Sequence, residues 1–92
     1  NIYPEEIEAA VNNQPYVVES VVVDRGARLV ALIYMDSDKA KAEGVDLEEY
    51  KKVIMTEVNK SMPAYSKVNV IEYMTEPFAK TPKMSIKRFM YK

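Results

Sequence analysis

The feature that most limits how this chain can fold is a pair of aliphatic runs, Tyr16 to Asp24 and Arg28 to Met35, joined through Asp24-Arg25-Gly26-Ala27. Val, Ile, Leu and Tyr dominate both runs, and these residue types suit a pleated, half-buried surface. Gly26 is free to take the positive φ that a tight reversal needs. The pair reads as a β-hairpin, and the rest of the chain must cover it.

The flanking segments supply that cover. Pro4 suits a first helical position, Glu5 and Glu6 favour the positive end of a helix dipole, and Ile7, Ala10 and Val11 share one face, so a short amphipathic helix ends before Pro15. Asp46 is placed as an N-cap with Glu49 three residues on, and Leu47, Tyr50, Val53, Ile54, Val58 and Met62 recur at helical spacing up to Pro63. A helix over about Leu47–Met62 is expected. The polar stretch 36–44 reads as a loop with room for a helical turn, and Lys67–Met74 alternates as a third strand. The tail after Pro82 is expected to form a last helical turn or two. This order gives one α+β domain over residues 1–92, a small sheet of a β-hairpin and a third strand covered by helices. A domain of this size buries only roughly 60–65% of the surface its unfolded chain exposes.

Composition removes several chemistries. With no Cys and no His there is no thiol nucleophile, no disulfide and no imidazole base, which excludes zinc enzymes of the usual kind, Ser-His-Asp hydrolases and Cys-His proteases. No apolar run approaches the roughly 20 residues of a membrane span, and the start lacks signal-peptide character, so a cytoplasmic location is expected. Charge is unevenly placed: all 14 acids precede Ala79, whereas Lys80, Lys83, Lys87, Arg88 and Lys92 follow it. Such a basic end suits an anionic partner, and it equally suits a solvated helix end. The tyrosines and the 6 methionines fall at core and core-edge spacings. Glu5, Glu6 and Glu8 fit first-turn capping better than a metal site.

Two end segments add more. Asn1–Glu8, NIYPEEIE, resembles the segment just after the interdomain hinge of adenylate-forming acyl-CoA synthetases, in which the Glu-Ile-Glu of Glu6, Ile7 and Glu8 recurs. Lys80–Arg88, KTPKMSIKR, resembles the C-terminal motif of the same family, which commonly runs Pro-Lys-Thr-x-x-Gly-Lys-Ile-x-Arg. The resemblance spans essentially the whole chain, and the ending IKRFMYK is most similar to the long-chain fatty acid branch.

That resemblance implies a mobile C-terminal lid domain whose partner is its own N-terminal adenylation domain, expected to lie outside these residues. It implies a ligase that uses ATP and magnesium, held mainly by the other domain, to convert a fatty acid to an acyl-adenylate, then passes the acyl group to coenzyme A and releases AMP. A lysine of the C-terminal motif would meet the carboxylate and the α-phosphate, offsetting the repulsion between two anions. Aligning the motif puts Met84 at its glycine and Ser85 at its lysine. Lys83 first and Lys87 second are the candidate replacements; the other reading is a slow or degenerate enzyme with no such lysine. Arg25 and Arg28 are candidates for coenzyme A phosphates, and Lys80 and Arg88 for pyrophosphate, with plain solvation open for all four. The isolated chain is expected to be inactive, and peripheral membrane contact is expected of the parent enzyme. The alternatives are a non-catalytic regulatory or binding module derived from a ligase and a small anion- or RNA-binding domain. Nucleic acid is not an expected partner, because Arg28–Met35 lacks the glycine of an RNA-recognition strand.

Overall fold

The computed structural model describes residues 4–26, 28–63, 66–87 and 90–91. The elements run α1 (Pro4–Asn12), β1 (Val17–Arg25), β2 (Arg28–Met35), α2 (Ser37–Ala42), α3 (Leu47–Lys60) and β3 (Val70–Met74). The fold is α+β, as the sequence pattern indicates. The sheet order is β1-β2-β3. Strands β1 and β2 form the antiparallel hairpin, and Gly26 sits in its turn with φ 71°. Strand β3 pairs parallel to β2, Val30 opposite Val70, so α2 and α3 form the crossover that a parallel pair needs.

Because β2 is central, both its faces are covered, and Leu29 to Ile33 are all buried. Alternation then sorts the core into two clusters. Leu29, Ala31, Ile33 and Met35 point with Val22 and Ile71 toward Ile7 and Val11 of α1 and Ile54 and Val58 of α3. Val30 and Leu32 point the other way with Val21 and Val23, where Phe78, Ile86 and Tyr91 of the C-terminal segment cover them.

The helices are fixed by local chemistry. The Asp46 carboxylate accepts the Glu48 and Glu49 N–H groups at 3.0 and 3.3 Å, the expected cap of α3. Asp36 accepts the Lys39 N–H at 3.2 Å and starts α2, so the polar stretch holds a short helix. In α1 the acids divide. Glu5 and Glu6 are exposed in the first turn, but Glu8 is buried and its carboxylate accepts the Val22 N–H at 2.7 Å. β1 is an edge strand, and Glu8 occupies one of its outward-facing donors; Ser20 adds a bond to Asn12 of 2.8 Å.

The tail departs from expectation. Between Lys80 and Lys87 the chain is not helical but doubles back on itself, with Lys80 and Ile86 bridged antiparallel. The second face of the sheet explains this: without cover, Val21, Val23, Val30 and Leu32 would meet water, and the doubled-back segment lays Ile86 over them. No described helix is long and apolar enough to cross a membrane.

Candidate functional site

The site is built on that reversal. Thr81 and Ser85 bracket a three-residue loop, Pro82-Lys83-Met84: the Thr81 N–H donates to the Ser85 carbonyl at 2.7 Å, and the Met84 N–H donates to the Thr81 carbonyl at 2.8 Å. The Ser85 N–H also reaches Thr81 Oγ1 at 3.3 Å. A loop of this length closes when its third residue adopts the left-handed conformation, normally as glycine. Here that residue is Met84, at φ 64°, with its side chain exposed. The position that the motif alignment gives to glycine is therefore the one whose backbone calls for glycine.

Three contacts hold this hairpin, one of them directly to the sheet. Lys80 Nζ lies 2.7 Å from Glu19 Oε2 on β1, and both side chains are largely covered. The Ala79 N–H donates to the Tyr91 hydroxyl at 2.7 Å, while the Tyr91 ring stands edge-on to buried Phe78 with centroids 5.1 Å apart. The Lys87 N–H donates to the Ala79 carbonyl at 2.8 Å and holds the returning arm to the outgoing one.

The candidate cations fall into distinct environments. Arg25 is exposed but engaged by its own chain, pairing with Glu72 at 3.4 Å and donating to the Tyr91 carbonyl at 3.0 Å. Arg28 is exposed beside it, across the β1–β2 turn. Both flank that turn, six residues along β1 from Glu19 and thus ~20 Å from the Lys80 pair. They do not join the hairpin lysines in one site. Lys80 is committed to Glu19. Arg88 lies outside the described residues. Lys83 is exposed within the loop and Lys87 half-buried on the returning arm; neither has a carboxylate within ion-pair distance among the described residues. Ser85 and Lys87 stand two residues apart around Ile86, which faces the core, so these two share the outward side of the arm. Lys83 belongs to the reversal, so the extended-chain relation to Ser85 holds for Lys87 alone.

Glu19 and Tyr91 are the contributors that sequence reasoning missed. Glu19 carries no local signal, while Tyr91 reads only as one of several packing aromatics. For a metal, no three or more Asp, Glu, His or Cys converge among the described residues, so a magnesium ion finds no fitting site on them. Elsewhere, a cleft of about 360 Å³ opens at the ends of β2 and β3, lined by Tyr34, Ser37, Lys41, Leu47, Tyr73 and Thr75. The Tyr73 hydroxyl beside it donates to the Leu47 carbonyl at 2.6 Å. Burial first, and the nearby acids Glu48 and Asp46 with Tyr50 after it, push this phenol up to about 12.

Solved structures share this fold. The anthranilate CoA ligase AuaEII in complex with anthranoyl-AMP is 25% identical with a TM-score of 0.80, over 97% of this chain and 16% of that one. An acyl-CoA synthetase of Brucella canis is 27% identical, TM-score 0.73, over 95% of this chain and 16% of that one. A fatty acyl CoA synthetase of Mycobacterium tuberculosis is 21% identical, TM-score 0.75, over 98% and 17%. The chain thus spans about a sixth of the length of these structures. No curated protein matches it. The family model for the AMP-binding enzyme C-terminal domain matches residues 1–91, and with the fold and the motif hairpin in place, the chain belongs to that family.

Proposed function

We propose that this domain is the swinging lid of an acid–CoA ligase, which activates a carboxylic acid with ATP and transfers the acyl group to coenzyme A. The observation that carries the reading is the hairpin: a left-handed residue at the motif's glycine position, in a loop tied to β1 through Lys80 and Glu19, presenting Lys83 and Lys87 with no carboxylate in ion-pair range among the described residues. Such a tip can enter a site formed by a second domain and place a positive charge where a carboxylate must approach a phosphate. The anthranilate ligase is described with an acyl-adenylate, the intermediate that this chemistry produces. ATP and coenzyme A are then substrates of the whole enzyme, held chiefly by an N-terminal domain.

A fatty acid is our reading of the acid, supported by the wording of the two end motifs. The solved relatives span anthranilate and fatty acyl ligases, so an acid panel is the proper test. The experiment measures AMP released by the two-domain protein with ATP, coenzyme A and either long-chain, short-chain or aromatic acids. AMP formation dependent on a long-chain acid supports the full reading; dependence on another acid corrects the substrate; no dependence on any acid removes the ligase. The 92 residues alone should release none.

One observation favours a second reading. Ser85 stands where the motif has its lysine, and a ligase-derived docking module would tolerate that exchange. Folded, ATP-binding, acid-independent protein is the result that this alternative predicts.

A further inference from the structure

We infer that Lys87 supplies the adenylation cation in this protein, and that Tyr91 is the residue that positions the arm carrying it. The inference rests on the ligase reading above and deepens it. On the returning arm, Ser85 and Lys87 share the outward side around inward-facing Ile86, one strand repeat or ~7 Å apart. A lysine on its flexible four-carbon stem can lean along the arm toward the space above Ser85. Lys83 cannot do so equivalently, because it lies within the loop, before the chain direction reverses at Met84. Lys80 is excluded by its 2.7 Å pair with Glu19 and Arg25 by its bonds to Glu72 and Tyr91.

Tyr91 reaches the same arm through Ala79. Its hydroxyl accepts the Ala79 N–H at 2.7 Å, and the Ala79 carbonyl accepts the Lys87 N–H at 2.8 Å, so a single residue links the tyrosine to the backbone of the lysine. At its other end the Tyr91 carbonyl is held by Arg25 at 3.0 Å, which ties the whole path to the sheet. A cation that must meet a developing charge acts only when its position is set beforehand. In the step itself, a carboxylate oxygen bonds to the α-phosphorus while the bond from that phosphorus to pyrophosphate breaks. Pyrophosphate leaves with the electron pair, and the ammonium moves no proton. It neutralises the approach of one anion to another.

The test uses the two-domain protein and follows two half-reactions: pyrophosphate release from ATP and acid, and thioester formation from supplied acyl-adenylate and coenzyme A. Lys87→Ala should slow the first by about 10²-fold and leave the second unchanged. Adding Ser85→Lys to Lys87→Ala should restore most of the first, a rescue that a purely structural lysine would not allow. Tyr91→Phe, which keeps the ring on Phe78 and loses only the hydroxyl, should lower the adenylation kcat by about tenfold with KM for ATP unchanged, in a protein that stays folded at the assay temperature. Wild-type adenylation in Lys87→Ala, an equal loss in Lys83→Ala, or failure of the Ser85→Lys rescue overturns the assignment while the ligase stands. A wild-type protein that releases no pyrophosphate from any acid removes the ligase reading itself, and the assignment with it.

Discussion

The carboxylate of Glu8 lies buried in α1 and accepts the backbone N–H of Val22 at 2.7 Å, joining the first helix to the edge of the sheet. A strand edge that keeps a bare donor is open to pairing with another chain, and this acid occupies it. Glu8→Ala removes the acceptor and leaves the buried donor unsatisfied, an effect of about 1–3 kcal/mol. Glu8→Gln retains a carbonyl oxygen and should lose less. Urea unfolding of the three proteins checks the order, and a Glu8→Ala midpoint equal to wild type would remove the edge-capping role.

The Lys80–Glu19 pair makes a different kind of prediction. Its 2.7 Å separation and largely covered side chains place it between a surface pair and a buried one. Lys80→Ala leaves Glu19 in a partly covered place without its partner, and stability should fall by about 1 kcal/mol. Glu19→Ala frees Lys80 and should loosen the hairpin with a similar loss. Faster amide exchange at Thr81 in both variants, with exchange in α3 unaltered, is the expected signature; equal protection at Thr81 would show that the pair does not hold the hairpin.

Tyr73 gives the molecule a response to alkali. Burial, followed by the nearby acids, raises its phenol to about 12, above the ordinary value of about 10. The folded state therefore favours the protonated phenol over the unfolded state. That contribution is fully present below pH of about 10 and is lost as pH rises through about 12. A phenolate absorbance titration of wild type minus Tyr73→Phe should isolate one transition near the upper end of that window. A difference transition near pH 10 would contradict the burial that the structure gives this ring.

The sequence shows the parts of this fold whose causes are local. Helical spacing and Asp46 indicate α3, Pro4 and the first-turn acids indicate α1, and Gly26 between two aliphatic runs indicates the hairpin. The cations at the chain end are equally visible. Their arrangement is not, because Lys80 to Lys87 carries no helical or alternating period, and its shape comes from a sheet face formed far earlier in the chain. Charge counting cannot tell Lys80 from Lys87 either: the first meets Glu19 only when the tertiary fold brings β1 beneath it. The motif resemblance nominates residues one by one, and only the folded chain separates Lys80, paired with Glu19, from Lys83 and Lys87, which have no carboxylate in ion-pair range among the described residues.

At Met84 the residue type and the backbone conformation disagree. A left-handed conformation costs a non-glycine residue about 1–2 kcal/mol, and Met84 holds φ 64° while its side chain stays 72% exposed, with little packing to offset that strain. Glycine would relieve the strain but add about 0.5–1 kcal/mol of backbone entropy lost on folding. Met84→Gly should therefore stabilise the domain by up to about 1.5 kcal/mol, with each kcal/mol raising the melting midpoint by about 4–8 °C in a domain of this length. Met84→Val, whose branched side chain tolerates the left-handed region worse, should shift the midpoint down. The pair of opposite shifts is the diagnostic. If glycine lowers the midpoint instead, Met84 is not strained, the loop does not call for glycine at this position, and the register that puts Ser85 in place of the motif lysine loses its structural support.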